Sequence, residues 1–124
     1  MGLINTVLGP LEGTELGFTL SHEHIATGAA GIHQTYPEFF DREGTVEDAV
    51  TALKQAYDEG VRSYIDPTTF DIGRDIALMQ EVSQKSGVHI VPTTGSHQAI
   101  PRSFMQASSD AIAAVYIREI EVGI

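Results

Sequence analysis

Two histidines separated by one residue are the side chains in this sequence best suited to chemistry. The run Ser21-His22-Glu23-His24 ends a β-prone stretch over residues 17–25, which we predict to be a strand. Side chains at positions i and i+2 point to the same face of a strand, so both imidazoles would project together and Glu23 would point away. Two such imidazoles can bind one Zn²⁺ at about 2.0–2.1 Å each. The alternative is a pair of hydrogen-bonded strand histidines without a ligand.

The composition restricts which other kinds of site are possible. The chain has no cysteine, which excludes disulfides, thiolate metal sites and a cysteine nucleophile. Its 17 acidic and 7 basic residues give a net charge of −10, which argues against nucleic acid and anionic membranes as partners. The sequence holds neither a glycine-rich phosphate loop nor a Gly-x-Ser-x-Gly motif. Because we find no signal-peptide pattern and no apolar run of about 18 residues, we expect a cytoplasmic location.

Alternating strands and helices are predicted around the histidine pair. Hydrophobic periodicity predicts three helices, over about Val46–Glu59, Ile72–Lys85 and Ser109–Val122, and two strands, over Val61–Asp66 and Val88–Val91. Thr45 and Asp71 are the expected N-caps of the first two helices. Near the N-terminus, β-prone runs at 4–8 and 17–25 are expected to form a hairpin around turn residues 9–13.

The two later strands resemble each other and indicate a parallel sheet. Segments 60–69 and 87–94 each pass from a single glycine through an apolar run into Pro-Thr-Thr, which we interpret as an internal βα repeat. Strands alternating with helices favour right-handed crossovers. We therefore predict one partial α/β domain over 1–124, with an N-terminal hairpin region at 1–17 and three βα units at 18–124. A complete (βα)8 TIM-type barrel takes about 250 residues, so this barrel would be incomplete.

One stretch of the sequence carries a resemblance to a known family. The run Gly17-Phe18-Thr19-Leu20-Ser21-His22-Glu23-His24-Ile25 resembles the N-terminal signature of the phosphotriesterase family, within the amidohydrolase superfamily. That signature reads Gly-x-Thr-Leu-x-His-Glu-His followed by an aliphatic residue. Four further stretches extend the resemblance: 36–40, 69–75, 88–95 and 116–123. The likeness covers nearly the whole chain, but only the first part of the family's length.

The resemblance implies a metal-dependent hydrolase of phosphotriester, organophosphate or related ester bonds, or a lactonase of the same family. Members hold two divalent metals, with zinc the first candidate, bridged by a hydroxide that attacks phosphorus or a carbonyl carbon. His22 and His24 match two ligands of the more buried metal. The other ligands, a carboxylated lysine, two later histidines and an aspartate, fall on later strands. The chain itself is thus expected to carry no catalytic residue.

Weaker candidates surround the metal pair. His97 and Ile72 match positions that line the substrate pocket in the family, although a solvated loop histidine and a helix residue are equally good interpretations. Thr27 lies just beyond the metal pair, where it would shape the side of the leaving group. Asp66 ends a strand, and a buried carboxylate there would support the site from behind. Four other residues are predicted to be structural or on the surface: Asp71, Arg74, His33 and His89.

An incomplete barrel has consequences for partners. Its outer strands would present open edges, and its inner face would lack the side chains that normally fill a barrel. We therefore predict self-association, poor solubility, or completion by another chain. The expected ligand is a small-molecule ester. The competing interpretation is a catalytically inert barrel fragment that binds metal weakly or serves a structural role.

Overall fold

A computed structural model describes residues 2–124 and contains, over that range, two sheets and four α-helices. The antiparallel hairpin consists of β1 Leu3–Thr6 and β2 Gly9–Glu12. The parallel sheet consists of β3 Phe18–Leu20, β4 Val61–Asp66 and β5 His89–Pro92, with β4 in the middle. The helices are α1 Ile32–Thr35, α2 Arg42–Asp58, α3 Ile76–Ser86 and α4 Ser109–Glu121. This mixed α/β arrangement confirms the predicted fold class, three βα units of an incomplete barrel.

The N-terminal hairpin forms from different strands than expected. Its turn lies between Thr6 and Gly9, where the Thr6 hydroxyl donates to the Gly9 carbonyl at 2.7 Å and Gly9 adopts a φ of 115°. Since Gly9 provides that positive φ, the chain reverses earlier than the predicted turn, and residues 9–12 become a strand. The run at 17–25 contributes β3, which pairs in parallel with β4. Met1 lies outside the described residues.

Two helices begin at different residues from the predicted ones. Asp41 caps α2 by accepting the Gly44 backbone N–H at 3.0 Å, while the hydroxyl of Thr45, the predicted cap, donates to the Asp41 carbonyl. Asp75 caps α3, so Asp71 is free for another contact. Asp41 and Asp75 have the non-helical backbone angles that an N-cap requires, whereas Thr45 lies inside α2 and Asp71 lies within the short turn 70–72.

The hydrophobic core lies between the parallel sheet and helices α2 and α3. Its buried members are Val7, Val46, Tyr64, Leu78, Met79, Val82, Val88 and Ile90. The helical spacing of Ile112, Val115, Tyr116 and Ile120 predicts a buried stripe on α4. No residue of α4 is buried, and Val115 and Ile120 are 37% and 64% exposed, so the prediction is wrong for these two because nothing within residues 2–124 covers them.

A buried ion pair holds α4 in place instead. Arg74 binds the Glu119 carboxylate through two hydrogen bonds, at 2.6 and 3.1 Å, and each side chain is only 8% exposed. The same guanidinium donates to the Thr93 carbonyl just after β5. These bonds from Arg74 hold the pKa of Glu119 below its usual range, against the opposing effect of burial. The structural role predicted for Arg74 is confirmed.

Over the described residues, no helix is long and apolar enough to cross a membrane.

Candidate metal-binding site

The two histidines of the motif lie side by side, although not on a strand as predicted. Strand β3 ends at Leu20, and the chain continues past the end of β4 in an irregular segment. One backbone bond, from Glu23 N–H to the Ile65 carbonyl at 3.1 Å, fixes this segment beside β4. The rings of His22 and His24 meet edge to face, with centroids 5.1 Å apart. Proximity therefore arises from the local bend rather than from strand alternation.

The ring of His24 is oriented by a buried threonine. Its Nδ1 lies 2.6 Å from the Thr68 hydroxyl oxygen, and Thr68 is fully buried just after β4. In a neutral imidazole whose Nδ1–H donates to this hydroxyl, Nε2 carries the free lone pair. A hydrogen bond to the second ring nitrogen is the usual way in which proteins fix a metal-ligating histidine. In this tautomer Nε2 is the ring atom that remains available to a ligand.

Asp66 supports this arrangement from behind. Its fully buried carboxylate accepts the Thr68 backbone N–H at 2.9 Å and that of Ile25 at 3.4 Å. One oxygen also lies 3.7 Å from His24 Nδ1. These bonds offset the cost of burying a carboxylate and join the segments that follow β3 and β4. Asp66 therefore stands where a supporting residue was predicted.

A phenol lies buried beneath the same segments. Burial raises the pKa of the Tyr64 hydroxyl far above its usual range, and the nearby charges of Asp66 and Glu23 raise it further. The hydroxyl has no hydrogen-bond partner within residues 2–124. Tyr64 thus remains neutral at any physiological pH and is unsuited to proton transfer. It acts as a core residue.

The donor set fits part of a metal site. His22 and His24 present two adjacent imidazoles, and nitrogen ligands of this kind suit zinc and other divalent transition metals. Within the described part of the chain, no group of three or more histidine, aspartate or glutamate side chains is placed to hold a metal. A tetrahedral zinc requires four ligands in all. The chain therefore offers two ligands, and the remaining positions would have to be filled from elsewhere.

An open cleft adjoins the pair. It measures about 480 Å³ and is lined by His24, Thr27, Gly28, Ile72 and His97. All three residues predicted for the substrate pocket thus meet beside one of the predicted ligands, though their role in binding stays a prediction. The Gly28 backbone N–H donates to the Ile72 carbonyl at 2.9 Å, which joins two walls of the cleft.

Three residues behind the site were either not predicted from the sequence or were predicted in the wrong place. Thr68 carries no motif of its own, and the only signal for it is the repeated Pro-Thr-Thr after each strand. Gly28 lies so close to His33 that an added Cβ would sit 2.7 Å from the imidazole Nε2. His33 itself stacks on Phe40 with centroids 3.9 Å apart. It therefore packs behind the cleft wall instead of lying free on a loop surface, whereas His89 lies on β5 as predicted.

Comparison with known proteins agrees with the geometry. The model of the phosphotriesterase family matches residues 2–124. An aryldialkylphosphatase of Saccharolobus solfataricus is 34% identical over 92% of the chain, and a phosphotriesterase homology protein of Mycobacterium tuberculosis is 30% identical over 98%. A phospho-furanose lactonase of Mycoplasmopsis agalactiae is 30% identical over 77%.

The matched segments are short parts of these relatives. The chain spans 37% of the aryldialkylphosphatase, 40% of the mycobacterial protein and 27% of the lactonase. The family model nevertheless matches every described residue, including the His22-Glu23-His24 motif and the cleft beside it. The chain belongs to the phosphotriesterase family.

Proposed function

We propose that this chain supplies two metal ligands and one wall of the substrate cleft in a metal-dependent hydrolase of phosphotriester, organophosphate or related ester bonds. The observation that carries the proposal is the His22–His24 pair, with His24 Nδ1 held by Thr68, at the edge of an open cleft. Similarity to an aryldialkylphosphatase supports the substrate class.

Five residues at the site each have a defined part in this proposal. His22 and His24 bind a divalent metal, zinc being the first candidate, which would supply Lewis acidity and an activated water. Thr68 keeps the His24 ring in the orientation that directs Nε2 outward. Ile72 offers an apolar contact to the substrate, and the imidazole of His97 offers a hydrogen-bond donor or acceptor.

A lactonase is the second candidate within the same family. Its support is the similarity to a phospho-furanose lactonase, which extends over 77% of the chain. A lactone and a phosphotriester both present a polarised oxygen to a metal and an electrophilic atom to an attacking water. Parallel assays on both substrate classes distinguish the two activities.

The proposal also requires a source for the missing ligands. Strand β3 is an edge of the parallel sheet, and its Phe18 is 66% exposed. Helix α4 exposes Ile117 and Ile120, at 50% and 64%. An open strand edge and an exposed apolar helix face each favour association. We propose that further polypeptide, whether more of the same protein, a second copy or another chain, covers these surfaces and completes the site.

The test combines metal content with turnover. The purified chain is equilibrated with Zn²⁺, dialysed, and assayed with diethyl 4-nitrophenyl phosphate and with a γ-lactone. We expect retained zinc and hydrolysis that are lost in His22→Asn and His24→Asn and kept in His89→Gln, a histidine at the opposite end of the sheet. Retained zinc without turnover would favour the inert-fragment interpretation. No retained zinc would overturn the proposal for this chain.

A further inference from the structure

The carboxylate of Asp71 joins two loops that meet at the cleft. Both of its oxygens lie 3.1 Å from the backbone nitrogen of His97, and one also accepts the Thr69 hydroxyl at 2.6 Å. Asp71 and His97 are 26 residues apart in sequence. The bond is therefore a tertiary contact, in contrast to the helix cap that the sequence predicted for Asp71. It fixes the main chain at the residue whose imidazole lines the cleft.

The turn that carries Asp71 holds the opposite wall as well. The next residue, Ile72, accepts the Gly28 backbone N–H through its carbonyl. Gly73 follows with a φ of 90°, and a Cβ at this position would lie 3.2 Å from the nitrogen and oxygen of Gly28. Both walls thus depend on a single short turn, residues 70–72. The side chain of Asp71 is its link to the wall formed by His97.

The charge of Asp71 strengthens this link. Partial burial raises the pKa of its carboxyl group, but the hydrogen bonds from Thr69 and His97 outweigh burial and hold that pKa below its usual range. The group is therefore ionised at neutral pH. A hydrogen bond from a backbone N–H to an ionised carboxylate is roughly twice as strong as one between neutral groups.

We propose that Asp71 is a positioning residue, which holds His97 against the cleft beside His24. The inference deepens the proposed function and rests on it only for what the cleft binds. His97 is itself exposed and belongs to the connection between β5 and α4. Without the carboxylate, its backbone would lose the two contacts that fix it relative to Ile72.

The test follows His97 by NMR in the isotope-labelled 124-residue chain. In Asp71→Ala, the His97 amide should exchange with solvent at least about tenfold faster, as expected for loss of a charged hydrogen bond. Asp71→Asn retains an acceptor oxygen and should restore part of the protection. Asp41→Ala is the matched control, because it removes a carboxylate that also accepts one backbone N–H, at the start of α2 and away from the cleft.

A second readout locates the ring. With Co²⁺ as a paramagnetic probe at His22 and His24, the His97 ring protons of the unmodified chain and of Asp41→Ala should show matching paramagnetic shifts. These shifts should decrease in Asp71→Ala. Absence of Co²⁺ binding would contradict the proposed function, while the exchange measurement would still test the role of Asp71. Unchanged exchange of the His97 amide in both Asp71 variants would overturn this inference.

Discussion

The imidazole Nδ1 of His24 lies 2.6 Å from the hydroxyl oxygen of Thr68, a residue 44 positions further along the chain. This contact joins the segments that follow two neighbouring parallel strands. The carboxyl ends of parallel strands meet at one edge of the sheet, so side chains distant in sequence come together there. The proposed metal ligand His24 and the hydroxyl that orients its ring thereby follow strands of different βα units.

The Thr68 hydroxyl is expected to increase metal affinity. Thr68→Val keeps the shape of the buried side chain but leaves the Nδ1 of His24 without its partner. Loss of such a support to a ligand commonly weakens metal binding by about 10–100-fold, and we expect Zn²⁺ affinity to fall at least about tenfold by calorimetric titration. Thr68→Ser retains the hydroxyl and should bind nearly as well as the unmodified chain. Equal affinity in Thr68→Val would show that the contact does not orient the ligand.

The buried pair of Arg74 and Glu119 is expected to contribute strongly to stability. Arg74→Met leaves the Glu119 carboxylate with an uncompensated charge, so the free energy of unfolding in urea should fall by about 3 kcal/mol. The matched control is Arg42→Met, which breaks an ion pair of the same 2.6 Å length to Glu81 with both side chains far more exposed. Solvent screens that pair, so the change should be much smaller. Similar losses in the two variants would contradict the account.

The same pair predicts how stability depends on pH. Because the folded-state pKa of Glu119 lies below its ordinary value of 4.5, folding favours the ionised form. The stabilisation is present above about pH 4.5 and is lost as pH falls through the lower folded-state pKa. The urea midpoint should therefore fall on acidification, and less steeply in Glu119→Gln. Glu121→Gln, on an exposed residue of the same helix, should retain the full slope. A variant of Glu119 with an unchanged slope would exclude this group as the cause.

The exposed apolar face of α4 is expected to promote association. Replacing Ile117 and Ile120 with lysine removes two exposed apolar side chains, so sedimentation velocity should show less concentration-dependent association than in the unmodified chain. The control replaces Ala111 and Ala114 with lysine, which adds the same charge at the same spacing on another face of the helix. If the unmodified chain remains monomeric at high concentration, the prediction that the apolar face of α4 requires a partner is contradicted.

Sequence reasoning recovered most of the fold because hydrophobic periodicity is a local property. Strand β4 has the predicted bounds, and α4 differs by one residue at its C-terminal end. The repeat of glycine, apolar run and Pro-Thr-Thr correctly indicated that β4 and β5 are parallel neighbours. Helix starts were less certain, since several polar residues precede each helix and only backbone conformation decides which one caps it.

The sequence indicated the histidine pair and the supporting position of Asp66, but not the contacts of Thr68 and Asp71, and metal binding by the pair stays a prediction. The spacing of His22 and His24 identified two side chains that the structure brings together, although the bend after Leu20, rather than a continued strand, does so. Thr68 and Asp71 act through contacts 44 and 26 residues away in sequence. Such contacts depend on how two loops meet, which no local pattern encodes. The partial barrel over 1–124 as a single domain, and its cytoplasmic location, stay predictions.

The most direct test of the central claim is a Zn²⁺ titration of the chain followed by ¹⁵N NMR of the histidine side chains. We predict that Zn²⁺ shifts the Nε2 resonance of His24 together with one ring nitrogen of His22, at a single saturable site, while the resonances of His89 stay unchanged. His24→Asn should abolish the response of His22. If Zn²⁺ perturbs neither ring, or if His22 still responds fully without His24, the two histidines do not form a shared metal site.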